Sequence, residues 1–335
     1  MANISDVLAD STISRALILE RIKNGMSRSV ANQYQKIIDD IVKTIKSTDS
    51  EITIRNMNKI IKELKSKVET DLPIYQDLND LGIQEATWAA TSINTAVGVD
   101  IVSRIAPTSV IEKIVNTSLM EGATIKSWYQ SLDASMQVDL DRAVKLGVSI
   151  GETTPEIAKR VQDKLLISKS QANTITRTAV STVSSKARDA TWEDNNEIFK
   201  AWEWLAVLDG RVRKEHAQRD SGLWEFVTHK GLNDIGKKFD FRRTPYGWNC
   251  RCMLLPVLKS GLELGIYGTR ASMDGQISSK INFEEWFLKK DKAFQEEYLG
   301  KGRFELFQKG KITFNDLVNQ QGKELSLSEL KLKYS

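Results

Sequence analysis

The sequence predicts an α+β protein, mainly α: an N-terminal helical region, then a small irregular β-containing domain packed on helices, then a short helical C-terminal tail. Three observations lead there. Apolar residues recur at helical intervals through the first part, as in Ile37, Ile38, Ile41 and Ile45. Only five prolines interrupt 335 residues, so long helices are unobstructed. After Asn195 the texture changes to AWEWLAVLDG, whose alternating large apolar residues suit a half-buried strand.

Taken in order, the first amphipathic helices run from about 13 to 67, with Ile60, Ile61, Leu64 and Val68 extending the stripe and breaks expected near 47–50 and at Leu72-Pro73. A second helical block covers 84–103, where the small residues of ATWAATSINTA favour close packing. Ala106-Pro107 stops it, and Thr108 is the expected cap of the next helix. Gly147 and Gly151 mark a helix end, after which Thr154 as N-cap and Pro155 as first helical residue open another, continued by Ile157, Val161 and Leu165. Asp209-Gly210 signals a turn after the AWEWLAVL strand, and CRCMLLPVL supplies a second strand. In the tail, Thr313 to Asp316 and Ser326 to Glu329 have the spacing of capping boxes. These signals divide the chain into a helical docking region (1–146), a domain built around the strands (147–262) and a tail with short helices (263–335).

A content of 41% hydrophobic and 27% charged residues is an ordinary globular mixture and argues against disorder. The net charge of +4 is too small to mark a nucleic-acid binder by itself. No apolar run approaches the ~20 residues of a membrane-spanning helix. The start MANISDVLAD lacks the basic and apolar regions of a signal peptide, so the expected place of synthesis and residence is the cytoplasm.

The two cysteines, Cys250 and Cys252, are separated only by Arg251, and the two histidines, His216 and His229, lie shortly before them. Cysteines two positions apart are poor disulfide partners, so reduced thiols are expected. Their plainest role is as small buried hydrophobes on one strand face, with His216 in a structural hydrogen bond and no cofactor. The alternative is zinc held by His216, His229, Cys250 and Cys252, although known zinc pairs have two to four residues between cysteines. Asp209 and His216 form a candidate carboxylate–imidazole pair, fit for general-base work or for locking a loop. His216, His229 and Asn249 allow a metal-dependent nuclease of the His-Asn-His type. Between Asp209 and Arg251 ten Lys or Arg stand against six Asp or Glu, interleaved with Trp224, Tyr246 and Trp248. Lys237, Lys238, Arg242 and Arg243 are therefore candidates for contact with DNA phosphates, the alternative being a solvated face.

Three segments in order, ITRTAVSTVSSKARDATWEDN, KAWEWLAVLDGRVRKEH and PYGWNCRCMLLP, resemble phage head morphogenesis proteins of the Mu protein F-like family, also called minor head or minor capsid proteins. Arg177, Thr178, Trp202, Asp209, Arg211, His216, Gly222, Asn249, Cys250, Arg251 and Cys252 carry the resemblance. Many relatives place a His shortly before Asn-Cys-Arg-Cys, whereas this chain reads Tyr246-Gly247-Trp248. The tail segments NFEEWF, LGKGRFELFQKGKITFNDLV and LSLSEL are similar to the usual ending, so the resemblance covers roughly 147–330. It implies a structural protein of the virion, inside or at the portal vertex of the head and in the host cytoplasm during assembly, acting in head morphogenesis, DNA packaging or DNA delivery. The partners implied are the portal protein, the major capsid protein or scaffold, and phage genomic DNA without regard to sequence. Because some members are fused to ADP-ribosyltransferases, an effector of that kind joins the nuclease as the enzymatic alternative. STVSS and EDNNE have a superficial likeness to it but fall within one expected helix.

Overall fold

A computed structural model describes residues 4–48, 51–68, 74–259, 269–278, 280–319 and 322–334. Its axis is α6 (Thr154–Glu193), against which α1 (Ile4–Lys46), α3 (Ile74–Val97) and α5 (Ile125–Ser149) pack. The isoleucine stripe of α1 explains the pairing: Tyr34, Ile38, Ile41 and Ile45 are fully buried in one cluster with Met136, Leu140, Ile157, Val161 and Leu165. Helix α2 (Met57–Lys65) lies on α5, and α4 (Thr108–Thr117) fills the angle between α3 and α6. A hairpin of β1 (Leu119–Met120) and β2 (Ala123–Thr124) leads from α4 into α5. Among the described residues no helix is long and apolar enough to cross a membrane.

Two helix starts differ from expectation by one residue. The N-cap of α6 is Thr153, not Thr154, because a capping box needs its acid three positions on. Glu156 Oε2 accepts from both the amide and the hydroxyl of Thr153, at 2.8 Å each. The N-cap of α4 is Pro107, held extended at φ −71°, ψ 160°, so that Thr108 is already helical. Gly151 turns the chain at φ +77°, and Gly147 lets α5 approach α6, since a Cβ there would stand 2.7 Å from Ile157. The break expected at 47–50 lies partly, and that at Leu72-Pro73 wholly, outside the described residues.

Beyond α6 the chain forms an antiparallel sheet in the order β4–β3–β5, from β3 (Phe199–Leu205), β4 (Leu223–Glu225) and β5 (Met253–Leu258). Trp202 pairs with Trp224 on one side and Pro256 on the other. Between β3 and β4 lies α7 (Lys214–Ala217), and between β4 and β5 lies α8 (Asp234–Lys238). Cys250 and Cys252 precede β5 in irregular chain rather than lying on it as the sequence predicts. The ladder between β3 and β5 stops at Leu205 opposite Met253, and on the β4 side the next amide, Ala206 N, donates to Asp220 Oδ1 at 2.7 Å.

The tail folds back on this sheet. After the hairpin of β6 (Thr269–Ser272) and β7 (Gly275–Ser278) come α9 (Phe283–Leu288), α10 (Lys292–Leu299), α11 (Lys301–Gln308) and α12 (Leu327–Tyr334). Phe283, Phe287 and Phe314 join Trp192, Trp202, Trp204 and Trp224 in a second core. Both tail capping boxes expected from the sequence are formed, at Thr313/Asp316 and at Ser326/Glu329. The fold is thus α+β, mainly α. The 146/147 division falls inside α5, and residues on both sides of 262 lie outside the described ones.

Candidate functional site

His216 is carried by α7, whose single turn follows Arg213 in extended conformation. This turn faces the segment before β5, so that Nδ1 of His216 stands 3.6 Å from Cys250 Sγ and 3.5 Å from Cys252 Sγ. All three side chains are buried, and their ligand atoms lie within 4.8 Å of one another. The imidazole is held on its faces and edge by aromatics: Tyr246 stacks on it at 5.3 Å, and Trp204 meets it at 88° from 5.7 Å. Its other nitrogen, Nε2, is 3.4 Å from Glu215 Oε1, close enough for charge attraction but outside good hydrogen-bond geometry. Burial pulls the His216 pKa down, but Cys250 and Glu215 outweigh it and hold the group above its ordinary value. The Cys252 hydrogen bond, with His216 assisting against burial, holds Cys250 well below an ordinary thiol. Cys252 is pushed well above by Cys250 and by burial.

Around this trio the remaining signature residues hold the chain to itself. Arg251 grips Asp209 with both terminal nitrogens, at 2.6 and 2.8 Å, and Asp209 also accepts from the Arg211 amide at 2.9 Å. Burial raises the Asp209 carboxyl, but Arg251 and Arg211 outweigh it and leave the group below its ordinary value. Asn249 adopts φ +55°, and its amide donates to Thr178 Oγ1 of α6 at 3.1 Å. Arg213 donates to the carbonyls of Tyr246 and Trp248, so the Asn-Cys-Arg-Cys approach is anchored from three directions. Arg177 reaches from α6 to Glu20 of α1 at 2.8 Å. Trp202 donates to the Phe226 carbonyl at 3.0 Å and stacks on its ring at 4.3 Å. Gly222 lies where a Cβ would meet the Trp224 ring.

Other sequence candidates are placed elsewhere. His229 is outside the trio: it takes φ +60°, stacks on Phe241 at 4.0 Å and faces Arg243 at 3.5 Å. Glu215, not Asp209, is the carboxylate beside His216, because Asp209 is engaged by Arg251. Arg243 is tied to Asp189 and Glu193 of α6 and lies 4.6 Å over Trp202. Lys237, Lys238 and Arg242 are exposed. The STVSS segment lies within α6 and EDNNE at its end.

Sequence reasoning missed two buried ion clusters. Arg270 of β6 donates to both oxygens of Asp220 at 2.6 and 2.7 Å and to the Ala206 carbonyl. In the helical layer Glu85 of α3 accepts from Arg15 at 2.6 Å and stands 3.5 Å from Arg188. Partners 50 to 103 residues apart leave no local signal, since only the fold brings them together.

A three-stranded sheet carried at the end of one long helix, and locked by an Arg–Asp clamp and a His–Cys–Cys cluster, defines one signature domain. Residues 139–255, which contain the clamp, the cluster and all of the sheet but the end of β5, match the family described as Phage Mu protein F like protein. Through this segment, about a third of its length, the chain is similar to the Mu protein F-like family. Similar proteins include capsid assembly protein F of Escherichia phage Mu, 26% identical over 151 residues, and an uncharacterized protein of Haemophilus influenzae, 25% identical over 125. The alignments take in 39% and 37% of this chain but only 33% and 26% of those proteins. No solved structure gives a significant match.

Proposed function

We propose that this chain is a structural minor head protein of a tailed bacteriophage, acting in head morphogenesis near the portal rather than as an enzyme. The observation that carries the reading is the likeness to capsid assembly protein F over the segment that holds the signature. The signature side chains support a structural role, because they are engaged with one another: Arg251 with Asp209, Asn249 with Thr178, Arg177 with Glu20. Such a network fixes a surface for partners and leaves few of these groups for a substrate. The portal protein, the major capsid protein or scaffold are the proposed partners, and packaged DNA a further one through Lys237, Lys238 and Arg242. The test is fractionation of phage-infected cells. The protein should sediment with DNA-free heads and stay with mature particles in a few copies. Recovery only in the soluble fraction, together with nuclease or ADP-ribosyltransferase activity, would replace this reading with the enzymatic one.

A further inference from the structure

We propose that His216, Cys250 and Cys252 bind one zinc ion, which fastens α7 to the segment before β5. The inference does not depend on the head-assembly reading, because metal content is a property of the isolated chain.

Three features of the cluster carry it. First, the spacing is that of a coordination sphere: Zn–S bonds of about 2.3 Å and a Zn–N bond of about 2.0–2.1 Å at tetrahedral angles put nitrogen and sulfur about 3.6 Å apart. The two Nδ1–Sγ separations are 3.6 and 3.5 Å. Second, two sulfurs converge on one ring nitrogen. A neutral imidazole nitrogen offers a single lone pair, so it can accept from one thiol but not well from both. A cation at the centre satisfies all three donors at once. Third, the outer nitrogen Nε2 has no hydrogen-bond partner and its nearest carboxylate is Glu215 Oε1 at 3.4 Å. A carboxylate on that side favours the tautomer with the proton on Nε2, which leaves the lone pair of Nδ1 turned to the sulfurs.

The single residue between the cysteines, which counts against a finger in sequence, is resolved by the backbone. Asn249 in the left-handed region and the Arg213 bonds to Tyr246 and Trp248 curve the chain before it enters β5. Arg251 is drawn the other way by Asp209, leaving both sulfurs on the inner side. Binding would release to solvent the protons held on the two sulfurs and on Nδ1, and two thiolates would balance the dication. His229 takes no part. Among the described residues no fourth His, Cys, Asp or Glu atom joins the group, so the last corner falls to a donor of another kind.

The test uses the full chain, purified without chelator and dialysed. Elemental analysis should give one zinc per chain. Cobalt replacement should show sulfur-to-cobalt charge transfer and the intense visible bands of four-coordination. Cys250→Ser, Cys252→Ser and His216→Ala should each lose the metal, whereas His229→Ala should keep it. Should the ligand variants fail to fold, the wild-type chain alone decides: a strong chelator should remove zinc, expose two reactive thiols and lower the melting temperature, and added zinc should restore all three. Metal far below one per chain with no cobalt–sulfur absorption would overturn the proposal, as would loss of metal in His229→Ala.

Discussion

Gly222 has no space for a side chain. A Cβ there would stand 2.5 Å from the Trp224 ring and 2.8 Å from the Arg219 carbonyl oxygen, and that carbonyl already accepts from the Gly222 amide. Backbone cannot give way as a flexible side chain would, so Gly222→Ala should cost about 1–3 kcal/mol. An unchanged urea midpoint would refute this account. Asp189 gives a second prediction at the same scale. Burial pushes its carboxyl up to about 6 from 3.8, although Arg243 lies 3.1 Å away. Since the folded value lies above the unfolded one, the protonated group stabilises the fold fully below about pH 4, and that contribution is lost as pH rises through about 6. Asp189→Asn should therefore flatten the stability–pH profile across this window, by about 1–3 kcal/mol. A profile parallel to wild type would show that Asp189 titrates elsewhere.

Elements were legible where a local pattern decides them. The isoleucine stripe of α1, the tail capping boxes and the β3 strand can all be read from neighbouring residues. The start of α6 was missed by one position, and Thr153→Ala tests the corrected cap, with an expected loss of about 1 kcal/mol in thermal or urea unfolding against no comparable loss for Thr154→Ser. The cysteine segment was not legible as irregular chain. Its course is set by partners distant in sequence, Thr178 Oγ1 accepting from the Asn249 amide and Arg213 donating to the Tyr246 and Trp248 carbonyls. The basic segment was legible only in part, because charge count does not separate free cations from engaged ones. Arg243 is engaged by α6, so its removal would disturb the fold as well as any DNA contact. The informative variant replaces Lys237, Lys238 and Arg242 by Ala. If these meet phosphates, DNA affinity should fall alike for unrelated duplexes, and the log–log salt slope should shrink by about 0.9 for each lost contact. Equal salt slopes for the two proteins would return these residues to a solvated face.

At the scale of the molecule, the long helix α6 ties the helical layer to the sheet. It lies in the first core through Ile157, Val161, Leu165 and Val183 and enters the second through Trp192. The N-terminal helices are covered from within the chain. Tyr34, Ile38, Ile41, Ile45 and Leu64 are each 0% exposed, and Glu20 holds Arg177 of the signature. Deleting residues 1–70 would bare the apolar faces of α5 and α6 together. Each large side chain so uncovered is worth about 1.5–3 kcal/mol of burial, and several at once exceed the ~5–15 kcal/mol by which domains are stable. The deletion should therefore give an aggregated or non-cooperatively unfolding protein, and loss of head incorporation in that variant would say nothing about docking. A docking role for α1 is better tested on its outer side, where Leu17 is 58% and Ile18 40% exposed. Leu17→Glu with Ile18→Glu should leave the melting temperature within a few degrees of wild type, because neither side chain contributes to the core. If α1 meets a head component, the same variant should be depleted from assembled heads. A fragment 71–335 that unfolds cooperatively would show instead that the N-terminal helices are a separable module.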